Sequence, residues 1–152
     1  MAINTYDFVE EEKAASPPPT TPDQLEATLK NRSKYPEPHF VFLTSNIDPE
    51  RRIPWCPDVV RSLPAARRQV KKAGGTLFQV NVGDRPTWKD PDHPLRHSLQ
   101  ATGVPTIIHW TKDGPGQRLG KDLEQLGRNQ PNGEQQVEDK LAEFIASVKS
   151  EA

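Results

Sequence analysis

One side chain in this sequence combines a nucleophilic type with a placement that suits it: Cys56, the single cysteine of 152 residues. It stands in the run Trp55-Cys56-Pro57-Asp58-Val59-Val60, directly before a stretch, residues 57–72, in which Val59, Leu63, Ala66 and Val70 recur at helical spacing. The sulfur is therefore expected at a helix N-terminus. There, unpaired N–H groups and the positive end of the helix dipole favour a thiolate and lower the thiol pKa. Asp58, in the first turn, opposes this, because its carboxylate competes for the same N–H groups and repels a thiolate. The expected outcome is a depressed pKa, less depressed than beside a neutral neighbour.

Other chemistry-bearing residues are weaker candidates. With one cysteine, neither an internal disulfide nor a zinc site on paired cysteines is possible. Of the histidines His39, His93, His97 and His109, only His93 and His97 are spaced i, i+4, and Pro94 between them marks a helix start, so both read as surface residues. No metal and no resident cofactor is expected. Arg85, Lys89 and Asp90 suit the mouth of a site for an anionic or zwitterionic substrate, and Arg51-Arg52 would give the loop before Cys56 a local positive potential; solvated loop charges are the plainer alternative. Arg61, Arg68 and Lys72 share the polar face of the 57–72 helix and read as a solvated face before an anion patch.

The elements that must position Cys56 follow from periodicity and punctuation. Three short apolar, β-rich runs read as strands: residues 39–44, 76–82 after Gly74-Gly75, and 106–111 after Val104-Pro105. A helix is predicted over 22–32, with Thr21 as cap, Pro22 at the first position and Gln24 reaching back. Near the C-terminus, Asn132 and Gln135 suit a capping pair before the stripe Val137, Leu141, Phe144, Ile145 and Val148. Residues 114–133 are turn-rich, with one further short strand expected at 117–119. Strands alternating with helices define an α/β layered domain.

Composition sets the limits. Hydrophobic residues make up 33% of the chain and prolines number 16, which leaves part of it outside any core. Residues 10–21, acidic and then proline-rich, read as a surface linker, so an N-terminal leader over 1–20 is expected to precede a single domain over 21–152. Apolar stretches fall far short of the roughly 20 residues that span a bilayer, and acids occupy the place of a signal peptide's basic block. A net charge of -1 gives no reason to expect nucleic acid or a membrane surface as partner. A cytoplasmic protein is expected.

Two blocks make the site recognisable. Trp55-Cys56-Pro57-Asp58, with Pro64 inside the following helix and Gly103-Val104-Pro105-Thr106 opening a later strand, resembles the thioredoxin superfamily. A second block, Val82-Gly83-Asp84-Arg85-Pro86-Thr87-Trp88-Lys89-Asp90-Pro91, resembles the thioredoxin domain-containing protein 17 family, marked by Trp-Cys-Pro-Asp-Cys and by an extended loop before the cysteine, here 45–54. The resemblance covers about 22–148, leaving the leader and 120–131 peculiar to this chain. It implies a thioredoxin-like fold, a central mixed β-sheet flanked by helices, and a cis peptide at Val104-Pro105 facing Cys56. It also implies an active-site frame of Trp55, Pro57, Asp58, Val59, Val104 and Pro105, with Trp88, Lys89 and Asp90 beside it.

Val59 departs from that pattern. Where the family carries its second cysteine, this chain has a side chain that cannot resolve a mixed disulfide. Two readings follow. In the first, Cys56 is a catalytic monothiol acting on small-molecule or protein disulfides, with glutathione or another external thiol completing turnover. In the second, the fold is a redox-inactive binding or adaptor module that presents its cis-proline groove to an extended partner segment.

Overall fold

The computed structural model describes residues 6–14, 18–128 and 130–149. The rest of the leader lies outside them. Four strands, β1 (His39–Thr44), β2 (Thr76–Asn81), β3 (Thr106–Thr111) and β4 (Gly114–Leu119), form one mixed sheet in the order β2-β1-β3-β4. β1 pairs parallel with β2 and antiparallel with β3, and β3 pairs antiparallel with β4. All six residues of β1 are buried, which is why its sequence runs apolar without alternation: a central strand covered on both faces has no solvent side.

The parallel β1–β2 connection is made by α3 (Pro57–Lys72), over the residues that periodicity predicts. Pro64 lies within it and the helix continues past it. Val59, Leu63, Ala66 and Val70 are buried. α7 (Gly133–Lys149) packs beside α3, burying Val137, Leu141, Ile145 and Val148, with Phe144 against Phe40 at 6.2 Å between ring centroids. Glu138 of α7 joins the two helices by accepting from Arg68 Nη2 at 2.6 Å and from Gln69 Nε2 at 2.6 Å. α2 (Pro22–Leu29) starts as expected, with the Thr21 hydroxyl accepting from the Gln24 N–H at 3.2 Å.

Several details differ from the sequence reading. The first expected helix ends at Leu29 and gives way to a 3-10 turn, Arg32–Lys34. Asn132 does pair with a helical glutamine, but with Gln136, whose amide reaches the Asn132 Oδ1 at 3.1 Å; Gln135 instead donates to Asp139. Three one-turn helices, α4 (Arg85–Lys89), α5 (Pro94–Ser98) and α6 (Lys121–Gln125), are too short to show a period in sequence. β4 begins at Gly114 rather than at residue 117, because register with β3 carries it through the glycines.

The leader reading needs the largest correction. Its described part holds a helix, α1 (Phe8–Ala14), which overlaps the expected linker. Asp7 caps it, accepting from the Val9 and Glu10 N–H groups at 3.0 and 3.1 Å, and Phe8 is 5% exposed in the common core, edge-on to Tyr6. Composition averaged over the leader hid one apolar anchor, and burying a phenylalanine side chain contributes roughly 2–3 kcal/mol. Further along, Pro19 O accepts from the Asn81 N–H at 2.8 Å, so the leader is tied to the end of β2 as well.

Candidate functional site

Cys56 is the N-cap of α3, its backbone extended and its carbonyl already accepting from the Val59 and Val60 N–H groups. The sequence places it there because Pro57 suits the first helical position, where its missing N–H is no loss. The sulfur faces the segment before β3. Its thiol donates to the Val104 carbonyl oxygen at 3.6 Å, and the Val104–Pro105 peptide is cis, the form implied by the resemblance. A second cis peptide, Glu37–Pro38 before β1, carried no signal in the sequence.

The two sequence blocks meet in space. Trp55 Nε1 donates to the Gly83 carbonyl at 2.8 Å, and the Arg85 guanidinium stacks over the Trp55 ring with Cζ 4.8 Å from its centroid. Asn46 accepts from the Trp55 N–H at 3.1 Å and donates its own N–H to Gly83 O at 3.1 Å, which fixes the loop before the cysteine onto the end of β2. That loop folds back through an Ile47–Pro54 bridge and carries Arg51 and Arg52, both exposed, at its tip. Asp84 caps α4 by accepting from the Thr87 N–H at 2.9 Å, and these bonds hold its carboxyl below the ordinary range.

The expected depression of the Cys56 pKa does not occur. Burial comes first: Cys56 is 6% exposed, and desolvation pushes its thiol above the ordinary value. The N–H groups of Val59 and Asp58 pull down, the Asp58 carboxylate pushes up, and Arg85 pulls down, without overturning the burial effect. Helix-terminus reasoning captured the dipole and missed how deeply the sulfur is buried against the Val104 segment.

Asp58 is itself buried, and two cations hold it: Arg61 one turn along α3, and Arg128, whose Nε and Nη2 reach Asp58 Oδ1 and Oδ2 at 3.2 and 2.6 Å. Sequence reasoning missed Arg128, which follows α6 in a segment without periodicity. Val59 is fully buried in the core, and Pro57 is exposed beside the sulfur.

The outer frame is looser. Trp88 is buried, but its ring contacts are His93, edge-on at 5.2 Å, and the Arg96 guanidinium, Cζ 3.9 Å above it. Lys89 and Asp90 are exposed, and Asp90 accepts from the Asp92 N–H in a local turn. His93, expected at the surface, is buried: it accepts the Leu95 N–H on Nδ1 at 3.1 Å, so its Nε2 donates to Val82 O at 2.8 Å. It caps α5, and His97 is exposed. Among the described residues no cluster of three metal-ligating side chains occurs, and no helix is long and apolar enough to cross a membrane.

A cysteine at the N-terminus of the β1–β2 crossover helix, facing a cis-proline before an antiparallel strand, defines the thioredoxin class of fold. Residues 20–128 match the thioredoxin domain of the Thioredoxin domain-containing protein 17-like family, and the chain belongs to that family. Among its relatives, Thioredoxin-like protein Clot of Arabidopsis thaliana is 31% identical over 111 residues, covering 70% of this chain and 83% of that protein. A thioredoxin domain-containing protein of Schizosaccharomyces pombe is 36% identical over 97 residues, covering 62% and 76%. Human Thioredoxin domain-containing protein 17 is 35% identical over 82 residues, covering 53% and 63%.

Proposed function

We propose that the protein is a one-cysteine thiol–disulfide exchange protein of the thioredoxin type. The observation that carries this reading is the placement of the Cys56 sulfur at the α3 N-terminus, directly against the carbonyl that precedes the cis-proline, with Val59 buried where a second thiol would stand.

In the proposed cycle a disulfide, R–S–S–R′, of a small molecule or a protein lies along the cis-Val104–Pro105 segment. Cys56 loses its proton to solvent, and the thiolate attacks one sulfur. The Cys56–S–S–R bond forms, the R–S–S–R′ bond breaks, and R′–S⁻ leaves to take up a proton. No net oxidation occurs. Val59 offers no sulfur for the return step, so the mixed disulfide persists until an external thiol such as glutathione attacks it, releasing R as a new disulfide and regenerating the Cys56 thiol. Trp55, Pro57, Asp58, Val104 and Pro105 frame the sulfur in this reading. In the same reading the exposed Lys89 and Asp90, with Trp88, are assigned to the substrate approach.

A cysteine-independent adaptor is the second reading, favoured by one observation: burial holds the Cys56 thiol protonated above its ordinary range, which slows any attack. Both readings use the cis-proline groove and a cytoplasmic setting. Partner capture by a Cys56→Ser variant separates them. Retained capture supports the adaptor, and loss of capture with loss of mixed disulfides supports the exchange protein.

A further inference from the structure

The first turn of α3 contains an apparent contradiction. Asp58 is 5% exposed and lies beside the reactive sulfur, where its charge opposes a thiolate. An unpaired carboxylate in that place would penalise every step that puts negative charge on Cys56. Arg61 offsets part of it and comes from the same helix at i+3. The second cation arrives from much further along the chain.

Arg128 approaches Asp58 as a fork, one nitrogen on each carboxylate oxygen, the geometry in which a guanidinium binds a carboxylate most strongly. Its aim is set by two glycines. Gly127 has φ +84, a left-handed conformation that only glycine adopts cheaply, and a Cβ on Gly133 would lie 2.7 Å from the Gly127 Cα. The backbone therefore passes close to itself at Gly127 and Gly133, beside Arg128, whose side chain reaches the N-terminus of α3. Glu124 of α6 is close enough to couple to Asp58 and Arg128, with its carboxyl packed over Gly103, and burial raises its pKa. Among the described residues, Asp58 from α3 and Arg85 from α4 act on Cys56 most strongly, and Arg128 from beyond α6 senses its charge.

We infer that Arg128 is a positioning residue of the exchange site: it holds the Asp58 carboxylate charge-paired beside the sulfur, so that negative charge forms on Cys56 next to a neutralised acid. The inference rests on Cys56 being the reacting thiol of the proposed exchange. It assigns a role to the segment between α6 and α7, which lies outside the two recognisable sequence blocks.

The test is the pH dependence of Cys56 alkylation by iodoacetamide, with thermal melts alongside, in the full-length protein and in Arg128→Gln, Arg128→Lys, Asp58→Asn and the Asp58→Asn/Arg128→Gln double variant. Iodoacetamide reads the thiolate without any disulfide substrate. The expected result is that Arg128→Gln slows alkylation at pH about 8 by roughly two- to five-fold, through an upward shift of the midpoint. Arg128→Lys recovers most of the rate, Asp58→Asn exceeds wild type, and Arg128→Gln loses most of its effect in the Asp58→Asn background. An unchanged midpoint in Arg128→Gln, whatever its melting temperature, overturns the inference, as does an equal slowing with Asp58 already neutral. Should the midpoint shift as expected while wild type forms no glutathione adduct, the exchange reading fails and the positioning role stands.

Discussion

The Cys56 thiol donates to the Val104 carbonyl across 3.6 Å, so the chain's single cysteine also closes the contact between the α3 N-terminus and the cis-proline segment. The protonated sulfur fits this contact and a thiolate does not, since a thiolate has no proton to give to a carbonyl oxygen. Together with burial, this keeps the resting site in its thiol form.

Reactivity of Cys56 should therefore climb late with pH. Its pKa lies above the ordinary value of 9.0, so the thiolate fraction still rises through that pH. Alkylation or glutathione-disulfide attack, followed by mass spectrometry from pH 6 to 10, should increase without a plateau below pH about 9. A plateau near pH 7 would show an activated thiolate instead.

The same shift has a stability counterpart. A group whose folded pKa is raised contributes stability that is fully present below its unfolded pKa and is lost as pH rises through the folded one. Tyr6, pushed up to about 12 mainly by burial, has the same sign at higher pH. Urea midpoints should fall from pH 8 to 10, and Cys56→Ala should flatten that slope while leaving the steeper loss above pH 10.

Restoring a second sulfur should change the lifetime of the adduct. Val59 is fully buried one turn from Cys56, with its N–H on the Cys56 carbonyl at 3.0 Å, and Val59→Cys adds no volume to the core. A glutathione adduct on Cys56 should then be lost without added thiol, as reduced glutathione leaves and an internal disulfide closes, giving a protein lighter than its dithiol form by two hydrogen atoms. In wild type the adduct should remain.

Phe8→Ala tests the leader. Its side chain is buried beneath α1, whose charged contacts, such as Arg67–Glu11 at 3.4 Å, are partly exposed and worth little. Truncation should cost about 3–5 kcal/mol by urea denaturation. A cost below about 0.5 kcal/mol would mean that α1 is docked without contributing to the fold.

Much of this is legible in the sequence. β1, α3 and α7 declare themselves because apolar residues repeat over enough length, and the Trp-Cys-Pro-Asp block places the sulfur on the helix it caps. What could not be read depends on contacts distant in sequence. The thiol pKa turns on how deeply the Val104 segment covers Cys56, residues 48 apart, and the partner of Asp58 is 70 residues away. His93 read as a surface residue because a helix-capping role leaves no periodic trace. Phe8 was diluted by its acidic neighbours. Short helices such as α4 are specified by one cap, Asp84, rather than by a pattern.

The most direct measurement is intact-mass spectrometry of the reduced protein after exposure to oxidised glutathione at pH about 8, followed by removal of excess reagent and, in a second arm, addition of reduced glutathione. The expected result is a single glutathione adduct, absent in Cys56→Ser, that persists on standing and disappears when the thiol is added. No adduct under these conditions, or one that is lost without any external thiol, would contradict the one-cysteine exchange mechanism.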